Sequence, residues 1–263
     1  TPTLGSKLVA MVEEFATRQA ELVAEWLRVG YVQGNMNSDN CTLGGRTIDY
    51  GPFGIMEQYN GMWNPFTSDP EGKFAFLRQP GAARVNLAAL AKIVLAMLGP
   101  EGENTELKGE VTAAVEERFS AAFFAAHHEH NRRKLGVIEW DEGAEELMEE
   151  LHGLMQTTGE GVDFTLLYRQ LSSFDLPRYA DVEAGAVVMA ALEDGVPGGC
   201  FYAPLHEESR AQWTAWCERY AARLRADGRN NAERRAEQRA ASPKFVPRNW
   251  MLVRAYEAAY DGD

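Results

Sequence analysis

Cysteine is scarce in this chain. Three in 263 residues, Cys41, Cys200 and Cys217, are too few and too scattered for a disulfide scaffold or a thiolate zinc cage. A reducing compartment is therefore the default. Basic residues are outnumbered, 26 Lys and Arg against 39 Asp and Glu, for a formal charge of −13. That balance excludes broad nucleic-acid binding, where basic surface supplies most of the affinity, and docking on an anionic membrane. Long hydrophobic runs are missing too. The longest, such as Gly185 to Leu192, fall short of the roughly 20 apolar residues that cross a bilayer. No signal or transit peptide is visible, and the chain opens on Thr1 rather than methionine, as a piece of something longer would.

What is present is helical periodicity with one long interruption. Leu8, Val12, Phe15, Leu22 and Trp26 predict an opening helix of roughly 20 residues, broken only where Gln19 takes an apolar position. Ser6 is the expected cap and Gly30 the left-handed terminator. From Tyr31 to Pro80 the periodicity vanishes and Gly, Asn, Asp and Pro crowd in. A segment this long is expected to be a functional loop region, with a small hairpin around Gly44-Gly45.

Helices resume after Pro80-Gly81, with Val85, Leu87, Leu90, Ile93, Val94 and Met97. Further helices are predicted from near Thr105 to Lys134, after Asp141, near 164–171, over 180–192, along Trp213, Trp216, Tyr220 and Leu224, and around Trp250 to Tyr260. Residues 225–241, charged and Ala-rich, read as a solvated helix or a mobile link. The fold class is mainly α.

The chemistry concentrates in the loop region. Asp39 and Asn40 are adjacent, and Asp49 lies nine residues beyond Asn40 across a Gly-Gly turn. Folding back at that turn lets Asn40 and Asp49 converge on one hard cation, and Mg²⁺ needs only one or two protein oxygens. Asp39 is then a free carboxylate placed to accept a proton from an attacking hydroxyl. Asn, Asp and Gly also build ordinary turns, and composition alone leaves that alternative open. An EF-hand is excluded because the twelfth position from Asn35 is Arg46, not Glu. A helix followed by Asp and Asn, a turn, and Asp-aromatic-Gly is also the layout of a protein-kinase carboxy lobe. There the catalytic Asp lies five residues before the Asn, whereas here they are neighbours.

These residues carry a family resemblance. Gly30-Tyr31-Val32-Gln33-Gly34, Met36-Asn37-Ser38-Asp39-Asn40 and Thr47-Ile48-Asp49-Tyr50-Gly51-Pro52-Phe53-Gly54 resemble the selenoprotein O family. So do Ser68-Asp69-Pro70-Glu71-Gly72-Lys73-Phe74-Ala75-Phe76 with Gln79-Pro80, Arg132-Arg133-Lys134-Leu135-Gly136, and Pro243-Lys244-Phe245-Val246 with Arg248-Asn249. The resemblance implies a kinase-like carboxy lobe over 1–125, followed by a helical extension over 126–263. It implies ATP bound in inverted orientation and AMP transferred to protein Ser, Thr or Tyr hydroxyls, with Mg²⁺, or Mn²⁺ in its place. Asp39 would be the proton acceptor. Asn40 and Asp49 would be the metal ligands, with Asp49 against the nucleotide phosphates. Neither nucleic acid nor membrane is an expected partner, and family members occur in the bacterial cytoplasm and in mitochondria.

Departures are visible: Gln33 stands where the family often has His, Ser242 replaces an Asn, and Pro247 an aliphatic residue. The family's amino-terminal lobe and carboxy-terminal tail have no counterpart here, so weak ATP binding by this chain alone is expected. A phosphotransferase and a catalytically silent interaction module are the rival readings. His127, His128 and His130 are expected to be exposed helix residues rather than zinc ligands. Arg132, Arg133 and Lys134 are expected to be helix-end charges, Cys217 a buried apolar filler, and Cys41 a minor candidate for redox sensitivity.

Overall fold

The computed structural model describes residues 3–177, 183–195 and 199–262 and is mainly helical. The chain divides into two compact units that interleave in sequence. Unit 1 comprises 1–27, 31–54 and 62–127; unit 2 comprises 28–30, 55–61 and 128–263.

Unit 1 begins with α1 (Leu4–Val29), which buries Val12, Phe15, Ala16, Val23 and Trp26 along one stripe. Its first turn is capped by Thr3, whose Oγ1 accepts from the Ser6 amide at 3.1 Å, so the cap falls three residues before the expected Ser6. Gly30 ends the helix at φ +79°. Gln19 does not break the buried stripe. It is 3% exposed and its Nε2 donates to Thr42 O at 2.8 Å, fastening the helix to the loop region.

The expected hairpin is misplaced. Gly44-Gly45 does form a turn, closed by the Gly45 amide on Thr42 O and by Thr42 Oγ1 donating to Arg46 O, but no strand flanks it. The paired strands are β1 (Tyr31–Val32) and β2 (Gly54–Ile55), at the two ends of the loop. Two-residue strands are too short to leave a period-2 pattern.

α2 (Gln79–Met97) starts with Pro80 in its first turn, where a missing N–H costs nothing. It buries Gln79, Ala83, Leu87, Ala91 and Val94. Val85, Ile93 and Met97, read as part of the same stripe, are exposed instead. Counted from Phe76, this helix spans 22 residues and contains an 18-residue stretch of mean hydropathy 1.3, so by length and composition alone it is long and apolar enough to cross a membrane. The expectation that no segment reaches that threshold is thereby corrected.

The long helix predicted to Lys134 is three consecutive pieces. α3 (Thr105–Ala113) is capped by Asn104 Oδ1, a π-helical turn spans Ala114–Arg118, and α4 (Phe119–Leu135) follows.

In unit 2, α5 (Glu142–Thr157) and α6 (Phe164–Gln170) are capped by Asp141 and Asp163. α7 (Ala184–Glu193) covers the described part of the helix expected over 180–192; 180–182 lie outside the described residues. α8 (Glu207–Asp227) supplies the centre of the core. Trp213, Trp216, Cys217 and Tyr220 are fully buried, as their spacing predicts. Each polar edge finds a partner: Trp213 Nε1 donates to Thr158 Oγ1, Trp216 Nε1 to Leu147 O, and Tyr220 OH to Leu135 O.

α9 (Asn231–Ala241) is neither a link nor a fully solvated helix, because it buries Arg234, Gln238 and Ala241. Gly136, at φ +71°, lies where a Cβ would meet Arg234 and Gln238 at 2.8 Å, which accounts for a glycine in that motif. α10 (Asn249–Tyr260) carries no buried residue.

The Arg132–Lys134 triplet is not a uniform set of helix-end charges. Arg132 fills that role, pairing with Glu129 and Glu237 and donating to Val137 O. Lys134 is buried, with Nζ 3.6 Å from the ring centre of Tyr168 and 4.3 Å from that of Phe164. Desolvation, with Arg28 adding repulsion, depresses its pKa well below the ordinary lysine value. The histidines differ from expectation as well. His127 stacks on Phe123 and His128 on Trp140, both half-buried, while His130 is buried. Among the described residues, no cluster of three His, Cys, Asp or Glu could hold a metal ion.

Candidate active site

The loop from Gln33 to Phe53 lies entirely in unit 1 and is organised by three carboxamides. Gln33 is 1% exposed. Its backbone N–H donates to Gln79 Oε1 at 3.1 Å, its Oε1 accepts from Tyr31 OH at 2.6 Å, and its Nε2 donates to the carbonyl of Asp49. Gln79 Nε2 in turn donates to Tyr31 O at 3.0 Å. One helical face further along α2, Asn86 Nδ2 donates to Met36 O at 2.7 Å. Gln79 and Asn86 are seven residues apart, two turns of helix, so one side of α2 holds the loop at both ends.

Gly34 permits the approach of the two halves. It has φ +78°, and a Cβ there would lie 2.2 Å from Pro52 O. Behind it, Trp26, Tyr31, Tyr50 and Phe53 pack ring against ring with centroids 5.3 to 6.4 Å apart. Burial raises the Tyr31 phenol pKa, with Tyr50 and Asp49 adding to the effect, so Tyr31 remains a hydrogen-bond donor to Gln33.

This frame positions the three candidate residues. Ser38–Asn40 forms a single 3₁₀ turn. Asp39 is exposed on it and borders a cavity of about 980 Å³ shared with Met36, Lys73, Phe74, Val85 and Asn86. Asn40 is half-buried and donates from Nδ2 to Asn35 O at 3.2 Å, which turns its carbonyl oxygen into the available ligand atom. It borders a narrow crevice with Gln33, Met36 and Asn86, so Asp39 and Asn40 look into different spaces, with Met36 and Asn86 common to both. Asp49 is half-buried, and its Oδ1 accepts from the Gly51 amide at 2.9 Å, leaving Oδ2 to a ligand. Asn40 and Asp49 are therefore tied, through Asn35 and Gln33, to the same three-residue segment. The bond to Asp49 is made at its backbone carbonyl, and its side chain lines neither the cavity beside Asp39 nor the crevice beside Asn40.

Cys41 is half-buried, and burial pushes its thiol up to about 11, so a reactive thiolate is disfavoured there. Gln33, Gln79 and Asn86 were not singled out as site residues from sequence. Gln33 and Gln79 do fall within the motifs that carry the family resemblance, Gln33 where the family often has His, whereas Asn86 has no sequence signal.

Three buried or half-buried carboxamides thus hold the Asp-Asn…Asp loop in place, and sequence comparison gives the family to which the chain belongs. The model of the family described as protein adenylyltransferase SelO matches residues 4–263, and the chain belongs to that family. It is 34% identical over 254 residues to a protein nucleotidyltransferase YdiU of a Bradyrhizobium species, covering 97% of this chain and 47% of that protein. A relative of the same description in Rhizobium etli is also 34% identical, with 96% and 46% covered. One in Salmonella paratyphi B is 31% identical over 262 residues, with 99% and 48% covered. The chain spans about half the length of the curated relatives it matches.

Proposed function

We propose that the protein containing this chain is a protein adenylyltransferase that moves AMP from ATP to the hydroxyl of a Ser, Thr or Tyr side chain. The observation that carries the reading is the exposure of Asp39 to a large cavity while the neighbouring Asn40 side chain and the Asp49 backbone are both hydrogen-bonded to the segment 33–35. Unit 1 is read as the counterpart of a kinase carboxy lobe. The division into a lobe over 1–125 and a helical extension over 126–263 belongs to the same proposal.

In this reading Asp39 takes the hydroxyl proton onto a carboxylate oxygen as the acceptor oxygen bonds to the α-phosphorus. The bond from that phosphorus to the bridging oxygen breaks, and pyrophosphate leaves. Asn40 Oδ1 and Asp49 Oδ2 would hold Mg²⁺, or Mn²⁺ in its place. The metal, when bound, neutralises phosphate charge and aligns the nucleotide. The chain's own contribution is positional: Gln33 fixes Asp49, Asn35 fixes Asn40, and Asn86 fixes the backbone beside Asp39.

The test uses the full-length protein with ATP labelled at either the α- or the γ-phosphate and a mixed protein acceptor. Label arriving from the α position, and lost in Asp39→Asn, supports the reading. Label from the γ position makes the protein a kinase, and no label from either makes it a silent module.

A further inference from the structure

Gln19 occupies a place in the buried stripe of α1 that an apolar side chain would fill at no polar cost. A buried carboxamide is tolerated there only if both its ends find partners. Its Nε2 donates to Thr42 O at 2.8 Å, but no donor among the described residues reaches its Oε1. Asn86 on α2 is in the same position, with Nδ2 given to Met36 O and Oδ1 without a donor among the described residues. So is Asn40, whose Nδ2 goes to Asn35 O. In all three the nitrogen meets a backbone carbonyl, which can only accept, so the oxygen is the atom left over. All three residues border the one narrow crevice beside Asn40. That crevice has a volume of about 10 Å³, the room that one water molecule needs.

We infer that one water molecule is built into this crevice, donating to Gln19 Oε1 and Asn86 Oδ1, and that these two residues position the Asp39-Asn40 turn for the proposed reaction. The water stands on the crevice alone, whereas the positioning role rests on the adenylyltransferase reading. The other polar side chains on the wall are already committed. Gln33 is held by Tyr31 OH and Asp49 O, Trp26 Nε1 donates to Thr47 Oγ1, and Thr42 Oγ1 donates to Arg46 O. Arg46 is the one charged residue that lines the crevice, and no carboxylate does. Acceptor oxygens beside a guanidinium suit a neutral donor and repel a metal cation. A water has two protons to give, so one of the three oxygens stays unclaimed. Asn40 Oδ1, the atom read above as a metal ligand, is that one. Met36 and Thr42 flank the turn, and each is already held by one of the two amides. The water joins those holders and closes a clamp around residues 36–42, with α1 on one side and α2 on the other.

A crystal structure of the full-length protein, at a resolution that shows ordered water, tests the site directly. One water at about 2.7–3.0 Å from both Gln19 Oε1 and Asn86 Oδ1 is expected. A dry crevice, a water bound to Asn40 Oδ1 in place of either partner, or an ion at about 2.0–2.6 Å overturns the inference and leaves the transferase reading intact. Gln19→Leu, Asn86→Leu and the double variant test the clamp. Each single change breaks its own carbonyl bond, and both remove the same water. Each should lower kcat for α-label transfer by about tenfold to a hundredfold, the scale of a displaced reacting group, with KM for ATP near wild type. The double variant should fall well short of the product of the two losses, because the shared water is lost only once. Urea unfolding of the same four proteins should show the same shortfall, a readout that needs no nucleotide. Losses that simply multiply, or a rise in KM with kcat unchanged, overturn the clamp. Absence of α-label from wild type overturns the positioning role together with the transferase reading, whatever the crevice holds.

Discussion

Gly34 and Pro52 touch backbone to backbone, so closely that a methyl group on Gly34 would sit 2.2 Å from the Pro52 carbonyl oxygen. Their contact joins the Asp39-Asn40 half of the loop to the Asp49 half. Gly34→Ala must open that contact and also hold an L-residue at φ +78°. The cost expected is about 1–3 kcal/mol for the backbone conformation alone, with more from the clash. Thermal melting should register a drop of several degrees, and α-label transfer should fall further than stability does. A variant that melts and transfers like wild type would show that the two halves need not meet.

Asp49 has two separable duties, since Oδ1 caps the Gly51 amide and Oδ2 is left for a ligand. Asp49→Asn keeps an oxygen for the cap and loses the charge, while Asp49→Ala loses both. Both should reduce transfer in the full-length protein by about 10²-fold or more, the scale of one electrostatic contact to a reacting phosphate. Only Asp49→Ala should lower the melting temperature as well. Wild-type transfer by Asp49→Asn would remove this residue from the site.

Lys134 gives a prediction in pH. Its folded-state pKa lies well below the unfolded value of 10.5. Between the two values the unfolded chain binds the extra proton, so stability rises with pH through that window. Lys134→Met keeps the packing on Phe164 and Tyr168 and removes the proton. The variant should gain most over wild type at the acid end, and the gap should close as pH approaches 10.5. Parallel stability curves would mean that the amine stays charged in its niche.

Arg248 donates to Asp163 at 2.7 Å and reaches Glu57 at 3.3 Å, and the Asp163 side chain is 3% exposed. Asp163 also caps α6 and accepts from Tyr202 OH, so it cannot turn away towards water. Arg248→Ala strands a buried carboxylate at about 3–5 kcal/mol, measurable by urea unfolding. Arg248→Lys retains the charge and should recover part of that loss.

The parts of this fold that were legible in the sequence are those written in periodicity. The Trp213–Leu224 stripe announced its burial, and the collapse of the 3.6-residue rhythm after Gly30 announced the loop. The misreadings have physical causes. α2 is apolar on two sides, so counting hydrophobic positions could not say which of Leu87 and Val85 faces inward. Lys134 sits in a basic triplet that looks solvated, and only the rings of Phe164 and Tyr168, some 30 residues on, explain its burial. The short strands at Tyr31 and Gly54 pair across the whole loop, a long-range relation that local pattern does not encode. Asp39, Asn40 and Asp49 can be proposed as a set from their spacing and motif, whereas the amides of Gln33, Gln79 and Asn86 that hold their loop take their meaning only from partners distant in sequence.

The grip of Gln33 on Tyr31 and Asp49 is made by a group that never titrates. An imidazole in that place, the form the family resemblance suggests is common, would gain a second N–H in mild acid and exchange an acceptor for a charge. A carboxamide presents the same donor and the same acceptor at every pH that the fold survives. Acidification that would loosen a histidine-fastened relative leaves this latch shut, so any acid sensitivity of the protein must originate elsewhere in the molecule.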